Sequence, residues 1–167
     1  PEDGRIQMYP CPSLEAHLVL VGIDPRTVRT TIHRYACGHD CGTIINPDVV
    51  HGMTIGGIAH GVGAALMEKF AYSDDGQLLT GTFMDYLIPT ALDVPRVTLV
   101  DHCTPSPLTT FGQKGSGEAG YLGAPAAIAS AVNDALSARD TSIDVLPMTP
   151  LAIWSALDRA AAATERL

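Results

Sequence analysis

Positive charge is scarce in this sequence. Its 167 residues hold 10 Lys and Arg against 18 Asp and Glu, a formal net charge of -8. The cations are scattered and form no basic stripe, so nucleic acid and anionic membrane are poor partners. No apolar run reads as long enough to span a bilayer. The first residues do not read as a secretory leader, and none is expected. It begins Pro1-Glu-Asp-Gly without a methionine, as a processed protein or one piece of a longer polypeptide would. The four cysteines (Cys11, Cys37, Cys41 and Cys103) are irregularly spaced. That argues against a disulfide framework, which a chain of this size does not need, and reads as reduced thiols in a cytoplasmic protein. Charged residues make up only 17% of the chain and hydrophobic ones 46%, enough for one core in one domain.

The few potential soft ligands that cluster do not complete a metal site. Cys37, His39 and Cys41 alternate along what reads as a strand end, which puts three of them on one face. A closed zinc site needs a fourth ligand, usually from a second pair, and none is evident. No metal ligands are assigned, and local packing accounts for the three.

What the chain has in abundance is glycine in two places. The stretch Gly112-Gln-Lys-Gly-Ser-Gly-Glu-Ala-Gly-Tyr-Leu-Gly123 crowds five glycines around one acid, Glu118, and runs into Pro125 and an apolar helix. Glycine packs almost nothing and loses the most entropy on folding, so a cluster marks a backbone that bends sharply or touches something bulky. Glu118 is then a carboxylate presented to a bound group, or a surface acid that offsets a helix dipole. The exposed amides of Gly115, Ser116 and Gly117 make a generic anion cradle. This is neither a Walker loop, since no Lys-Ser/Thr follows, nor a dinucleotide fingerprint, since no buried strand precedes it. Lys114 either binds an anionic cofactor or is solvated.

The second glycine cluster lies in a helix. Asn46-Pro47-Asp48 is a helix start, and Met53, Ile55, Ile58, Ala59, Val62, Ala65, Leu66 and Phe70 follow at helical spacing. Gly52, Gly56, Gly57, Gly61 and Gly63 interrupt it at about 1 kcal/mol each. Either a ligand or another backbone approaches this helix closely, or it packs tightly on a sheet. His60, beside Gly57 and Gly61, is a core histidine or a hydrogen-bonding partner of such a ligand.

Elsewhere, residues 16–23 form an apolar run expected to be covered on both faces. A turn at residues 24–27 joins it to a β-branched strand over 28–37. Asp74-Asp75-Gly76-Gln77 predicts a hairpin between 70–72 and 78–82. Residues 96–103 read as a strand, and 124–138 as a helix buried through Ile128, Ala129, Val132, Ala135 and Leu136. Thr149-Pro150 opens a last helix with Leu151, Trp154 and Leu157 inward, and its tail from Ala160 is expected to fray. The class is α+β: antiparallel or mixed sheets covered by about three helices.

Three segments taken in order resemble one family: Asp40-Cys-Gly-Thr-Ile-Ile-Asn-Pro47, Gly56-Gly-Ile-Ala-His-Gly-Val-Gly63, and the Gly112 to Gly120 loop followed by Gly123-Ala-Pro-Ala-Ala-Ile and Asn133-Asp-Ala-Leu. Phe83-Met-Asp-Tyr-Leu-Ile-Pro89 and Thr104-Pro-Ser-Pro107 add to the likeness. It is to the C-terminal part of the molybdenum-binding large subunit of the xanthine dehydrogenase, aldehyde oxidase and carbon monoxide dehydrogenase family. The resemblance implies an irregular lead-in over residues 1–15 and a partial molybdopterin-binding domain over 16–167. It makes Glu118 the catalytic base of a hydroxylase that takes its oxygen from water and oxidises an aldehyde, N-heteroaromatic or similar carbon. It implies that Gly57, His60, Gly61, Lys114, Gly115, Ser116 and Gly117 line the cofactor. That cofactor is molybdopterin cytosine dinucleotide with molybdenum, the metal being held by the pterin's sulfurs. Iron–sulfur clusters and FAD belong to partner subunits. Ser116 departs from the family's frequent valine. The family's large subunits are several times longer, so this chain alone is expected neither to hold the cofactor tightly nor to turn over. A non-catalytic assembly domain, or a generic anion-binding module, is the alternative reading of the same glycines.

Overall fold

The computed structural model describes residues 11–164; most of the irregular lead-in read from the sequence lies outside them. The chain runs β1 (Leu14–Ile23), β2 (Thr30–Asp40), α1 (Pro47–Leu66), β3 (Val97–Asp101), α2 (Ala124–Ser137) and α3 (Pro150–Thr164). The three strands make one mixed sheet, ordered β1-β2-β3. β1 and β2 form the expected antiparallel hairpin, and β3 lies parallel to β2.

Strand alternation decides what faces the core. Glu15, His17, Val19 and Val21 point to the helices, and their neighbours on β2 are His39, Cys37, Tyr35 and Ile32. Leu14, Leu18 and Leu20 point the other way and are exposed, Leu18 at 74%. The expectation that β1 is covered on both faces is therefore corrected: helices cover one face only. The two-sided apolar pattern was real, but none of the described residues covers the outer side.

α1 starts as its sequence dictates. The Asn46 side chain accepts from the Val49 amide, Pro47 fills the first turn, and Asp48 sits at the positive end of the dipole. Phe70, placed in this helix by spacing, lies beyond its end. α1 also corrects the statement on membrane spans: its 20 residues are long and apolar enough to cross a bilayer by length and composition. Here Thr54, Ile58, Val62 and Ala65 are buried within the protein.

α2 packs on β1, and α1 on α2. Tyr35, Ile58, Val62, Ile128, Val132, Leu136, Met148 and Ile153 meet in one core. Asn133 contributes a half-buried clamp: its side-chain amide both donates to and accepts from the backbone of Ile143, each at 2.9 Å. Ala135 is exposed rather than part of the α2 stripe. In α3 Ile153 and Ala156 are buried and Leu157 packs against the core as expected, while Leu151 and Trp154 are exposed at 71% and 54%. The inward reading holds for Leu157 and fails for Leu151 and Trp154, because those two large apolar residues occupy an outer face that this chain leaves open. Helix α3 runs to Thr164; the last three residues of the tail expected to fray lie outside the described residues. The hairpin predicted around Gly76 is reduced to one bridge, Tyr72 to Leu78.

Candidate functional site

Asp40 closes β2 and organises everything after it. It is 6% exposed. One carboxylate oxygen accepts from the Gly42 amide at 2.8 Å and the Thr104 amide at 3.1 Å; the other pairs with Lys114 Nζ at 3.2 Å. Burial alone would raise its pKa. The amides of Gly42 and Thr104 and the Lys114 ammonium outweigh that and hold it well below the ordinary carboxylate range. The backbone is tied at the same place: the Lys114 amide donates to the Cys41 carbonyl at 2.7 Å, and the Thr43 amide to the Gly112 carbonyl at 3.2 Å.

From this anchor the glycine-rich loop rises and comes down on α1. The Ala119 amide donates to the Ser116 carbonyl, and the Tyr121 amide to the Glu118 carbonyl, giving two linked turns. Gly120 has φ +86, and a Cβ there would overlap the carbonyl of Thr54. Only glycine satisfies both the left-handed backbone and the contact. The space a side chain would need at Gly57 is taken by the Ala119 carbonyl, and that at Gly61 by Ala124 and Pro125. These two glycines thus serve the seat of the loop and of α2 on α1, without need of a ligand.

Gly115 and Gly117 differ. Neither has a positive φ. A Cβ at Gly115 would meet nothing within 4 Å, and one at Gly117 only the Met53 methyl at 3.9 Å. Among the described residues, no acceptor takes the backbone N–H of Gly115, Ser116, Gly117 or Glu118. Glu118 is exposed between them, and its carboxylate has no hydrogen bond or ion pair among the described residues. A run of open amides beside bare glycines and one free carboxylate fits an anionic ligand lying close to the backbone. Gly52 and Gly56 on the outer face of α1 are likewise open.

Of the remaining predicted residues, His60 is exposed and stacks edge-on against Tyr121, ring centroids 6.3 Å apart. Lys114 is neither solvated nor free for an anion: its side chain is 11% exposed and paired with Asp40. Ser116 Oγ lies 3.4 Å from His39 Nε2. The structure thus gathers Lys114 to Glu118 on one loop, with Gly57 and Gly61 beneath its descending arm and into α2.

The sequence reading missed the polar cluster under the loop. Glu15 and His17 lie on the inward face of β1 opposite His39 and Cys37. Tyr35 Oη is 2.8 Å from His17 Nδ1, and His17 Nε2 is 3.3 Å from Glu15 Oε2. The same oxygen accepts the Gly120 amide at 2.5 Å. Burial pushes the Glu15 carboxyl up, but the hydrogen bonds from His17 and Gly120 overcome it and leave its pKa lower than that of an ordinary glutamate. Burial, then the Glu15 charge, pushes the Cys37 thiol up to about 12, so it keeps its proton. Potential ligand atoms of Glu15, His17 and Cys37 lie within 4.8 Å of one another, a closer trio than the Cys37, His39 and Cys41 grouping read from the strand end. Two polar residues at alternate positions of an apolar strand were the available signal.

A cavity of about 530 Å³ opens near the start of β2, lined by Ile32, Val62, Leu66, Leu92 and Met148. It contains none of the predicted site residues and lies at the other end of β2 from the loop.

Comparison with known proteins places this geometry. The family described as molybdopterin cofactor-binding domain matches residues 1–95. The chain is 44% identical over 139 residues to the 6-hydroxypseudooxynicotine dehydrogenase complex subunit gamma of Paenarthrobacter nicotinovorans, covering 83% of this chain and 17% of that protein. It is 33% identical to the carbon monoxide dehydrogenase large chain of Hydrogenophaga pseudoflava, covering 84% of this chain and 18% of the relative. Among solved structures, quinoline 2-oxidoreductase from Pseudomonas putida 86 superposes with a TM-score of 0.83 at 46% identity, over 85% of this chain and 18% of that one. The chain therefore spans under a fifth of the length of these relatives. It belongs to the molybdopterin cofactor-binding domain family, within the molybdenum-binding large subunits of the molybdenum hydroxylases.

Proposed function

We propose that this chain supplies the base and part of the cofactor cradle of a molybdenum hydroxylase that oxidises a carbon centre with water as the oxygen source. The observation that carries this reading is the loop at residues 115–118: backbone amides and an exposed carboxylate without partners among the described residues, and two glycines with open space. The amides of Gly115, Ser116 and Gly117 bind the anionic pterin dinucleotide, the cytosine form. Bare Gly115 and Gly117 let it approach the backbone. His60, on the α1 face beside Tyr121, offers a hydrogen bond at the edge of the same surface.

When bound, the cofactor supplies the metal that accepts the electron pair from substrate. Glu118 accepts the proton of the attacking water-derived oxygen at its carboxylate. The seat of the loop on α1 keeps that carboxylate in one place, as general base catalysis requires. Lys114 works from below: by neutralising Asp40 it fixes the rising arm of the loop. Other polypeptide, from the remainder of a large subunit, encloses the site and excludes water. The partners proposed for the assembled enzyme are an iron–sulfur subunit and an FAD subunit, which would take up the electrons, in a cytoplasmic complex. The substrate class extends over aldehydes and N-heteroaromatics, since the residues that select among them lie outside this chain.

Glu118→Gln in the assembled enzyme tests the reading. Turnover is expected to fall by about 10²–10⁴-fold, the range of a lost general base, with molybdenum content unchanged. Near-normal turnover per molybdenum would end the assignment. The non-catalytic alternative predicts no molybdenum in the native complex, which metal analysis decides.

A further inference from the structure

A buried carboxylate in a sheet is an expensive way to gain stability. Removing its hydration costs several kcal/mol unless hydrogen bonds satisfy every lone pair. The side chain of Glu15 is 11% exposed. Its Oε2 is doubly engaged, but its Oε1 is buried without a hydrogen-bond partner among the described residues, 3.8 Å from His39 Nε2. A well-packed apolar residue would serve the sheet at least as well. What such a residue cannot do is reach the loop.

Glu15 meets that loop on both sides of Glu118. Downstream, its Oε2 accepts the Gly120 amide at 2.5 Å, across 105 residues of sequence. Upstream, His39 lies between Glu15 Oε1 and Ser116 Oγ, at 3.8 Å and 3.4 Å from Nε2. His17 and Tyr35 brace the carboxylate from behind. A Cβ at Gly123 would strike the His17 ring, so the loop's far end also rests on this cluster. The turn that carries Glu118 closes through the Tyr121 amide and the Glu118 carbonyl at 3.1 Å. Gly120 is the third residue of that turn. Holding its amide fixes the turn's plane, and with it the direction in which the Glu118 side chain leaves the backbone.

We infer that Glu15 is a positioning residue: its buried carboxylate, by accepting the Gly120 amide, holds the turn that presents Glu118. This rests on the reading of Glu118 as the base.

The test compares Glu15→Met, of similar length without an acceptor, with Glu15→Gln, whose amide oxygen can still accept from Gly120. Both are made in the assembled enzyme. Hydrogen exchange is followed in the peptide spanning residues 112–123 of the cofactor-free protein, with α2 as the internal standard. Glu15→Met is expected to exchange about tenfold faster in that peptide with α2 unchanged. Its kcat per molybdenum falls by about tenfold, with KM within about twofold. Glu15→Gln keeps the protection and at least half of the kcat. A merely structural role would instead lower the melting temperature and cofactor loading and leave kcat per molybdenum intact. Unchanged loop exchange, or unchanged kcat per molybdenum, in Glu15→Met overturns the inference. Where Glu15→Met does not assemble, loss of loop protection in Glu15→Gln overturns it, and retention supports it. Glu118→Gln run in parallel separates the two readings: normal turnover there removes the base, while the exchange result still decides what Glu15 does.

Discussion

Lys114 Nζ lies 3.2 Å from Asp40 Oδ2, and both side chains are about nine-tenths buried. The pair joins the last residue of β2 to the third residue of the glycine-rich loop. The one cation in that loop is thus spent on architecture, and the loop's attraction for an anion comes from its backbone amides.

Asp40→Asn removes the partner of a buried ammonium. Breaking one half of such a pair costs about 3 kcal/mol. The sign of the pH dependence follows from the direction of the shift. The folded carboxyl sits below its ordinary value of 3.8, so its contribution is present above that pH and is lost as pH falls through the folded value. Urea melts of wild type and Asp40→Asn are expected to keep a constant difference from about pH 7 down to about pH 4, and to converge progressively only as pH falls further toward the folded value. A difference that does not shrink below about pH 4, or that already shrinks well above it, would contradict the ionised pair.

The glycines of the loop sort into two kinds by substitution. Gly120→Ala forces a Cβ into the Thr54 carbonyl at φ +86, and the expected loss is about 2–4 kcal/mol in thermal or chemical melts. Gly115→Ala meets open space at an ordinary φ, so stability should change by no more than about 0.5 kcal/mol. If the cofactor lies against Gly115, that same mild substitution lowers molybdenum content. Full loading would remove Gly115 from the cradle.

The outer sheet face gives a separate test. Leu14, Leu18 and Leu20 form an apolar stripe, exposed at 65%, 74% and 56%. In an assembled large subunit other polypeptide should cover it. Leu18→Asp is then expected to destabilise that assembly by about 3 kcal/mol through an unpaired buried charge. A change within about 0.5 kcal/mol would mean that the stripe stays in water.

Sequence reading worked where the cause is local. The Asn46 cap and Pro47 start α1 because the orphan amides of a first turn need an acceptor within three residues. The turn at residues 24–27 fixed the hairpin for the same reason. It failed on α3, where Leu151 and Trp154 face outward, and on the second face of β1. Hydrophobic spacing gives a period but not the partner that covers each face, and here part of that partner is other polypeptide.

The residue types alone determined that amides, bare glycines and one acid would meet on a loop ahead of α2, because those properties reside in the residues themselves. Tertiary structure alone decided which glycines serve packing and which stay open, since Gly57, Gly61 and Gly115 are identical until Ala119, Ala124 or empty space is set beside them. It also decided that Glu15 and Gly120 would meet. No local rule joins two residues separated by 105 positions; only the inward register of β1 and the descent of the loop onto α1 bring that carboxylate to that amide.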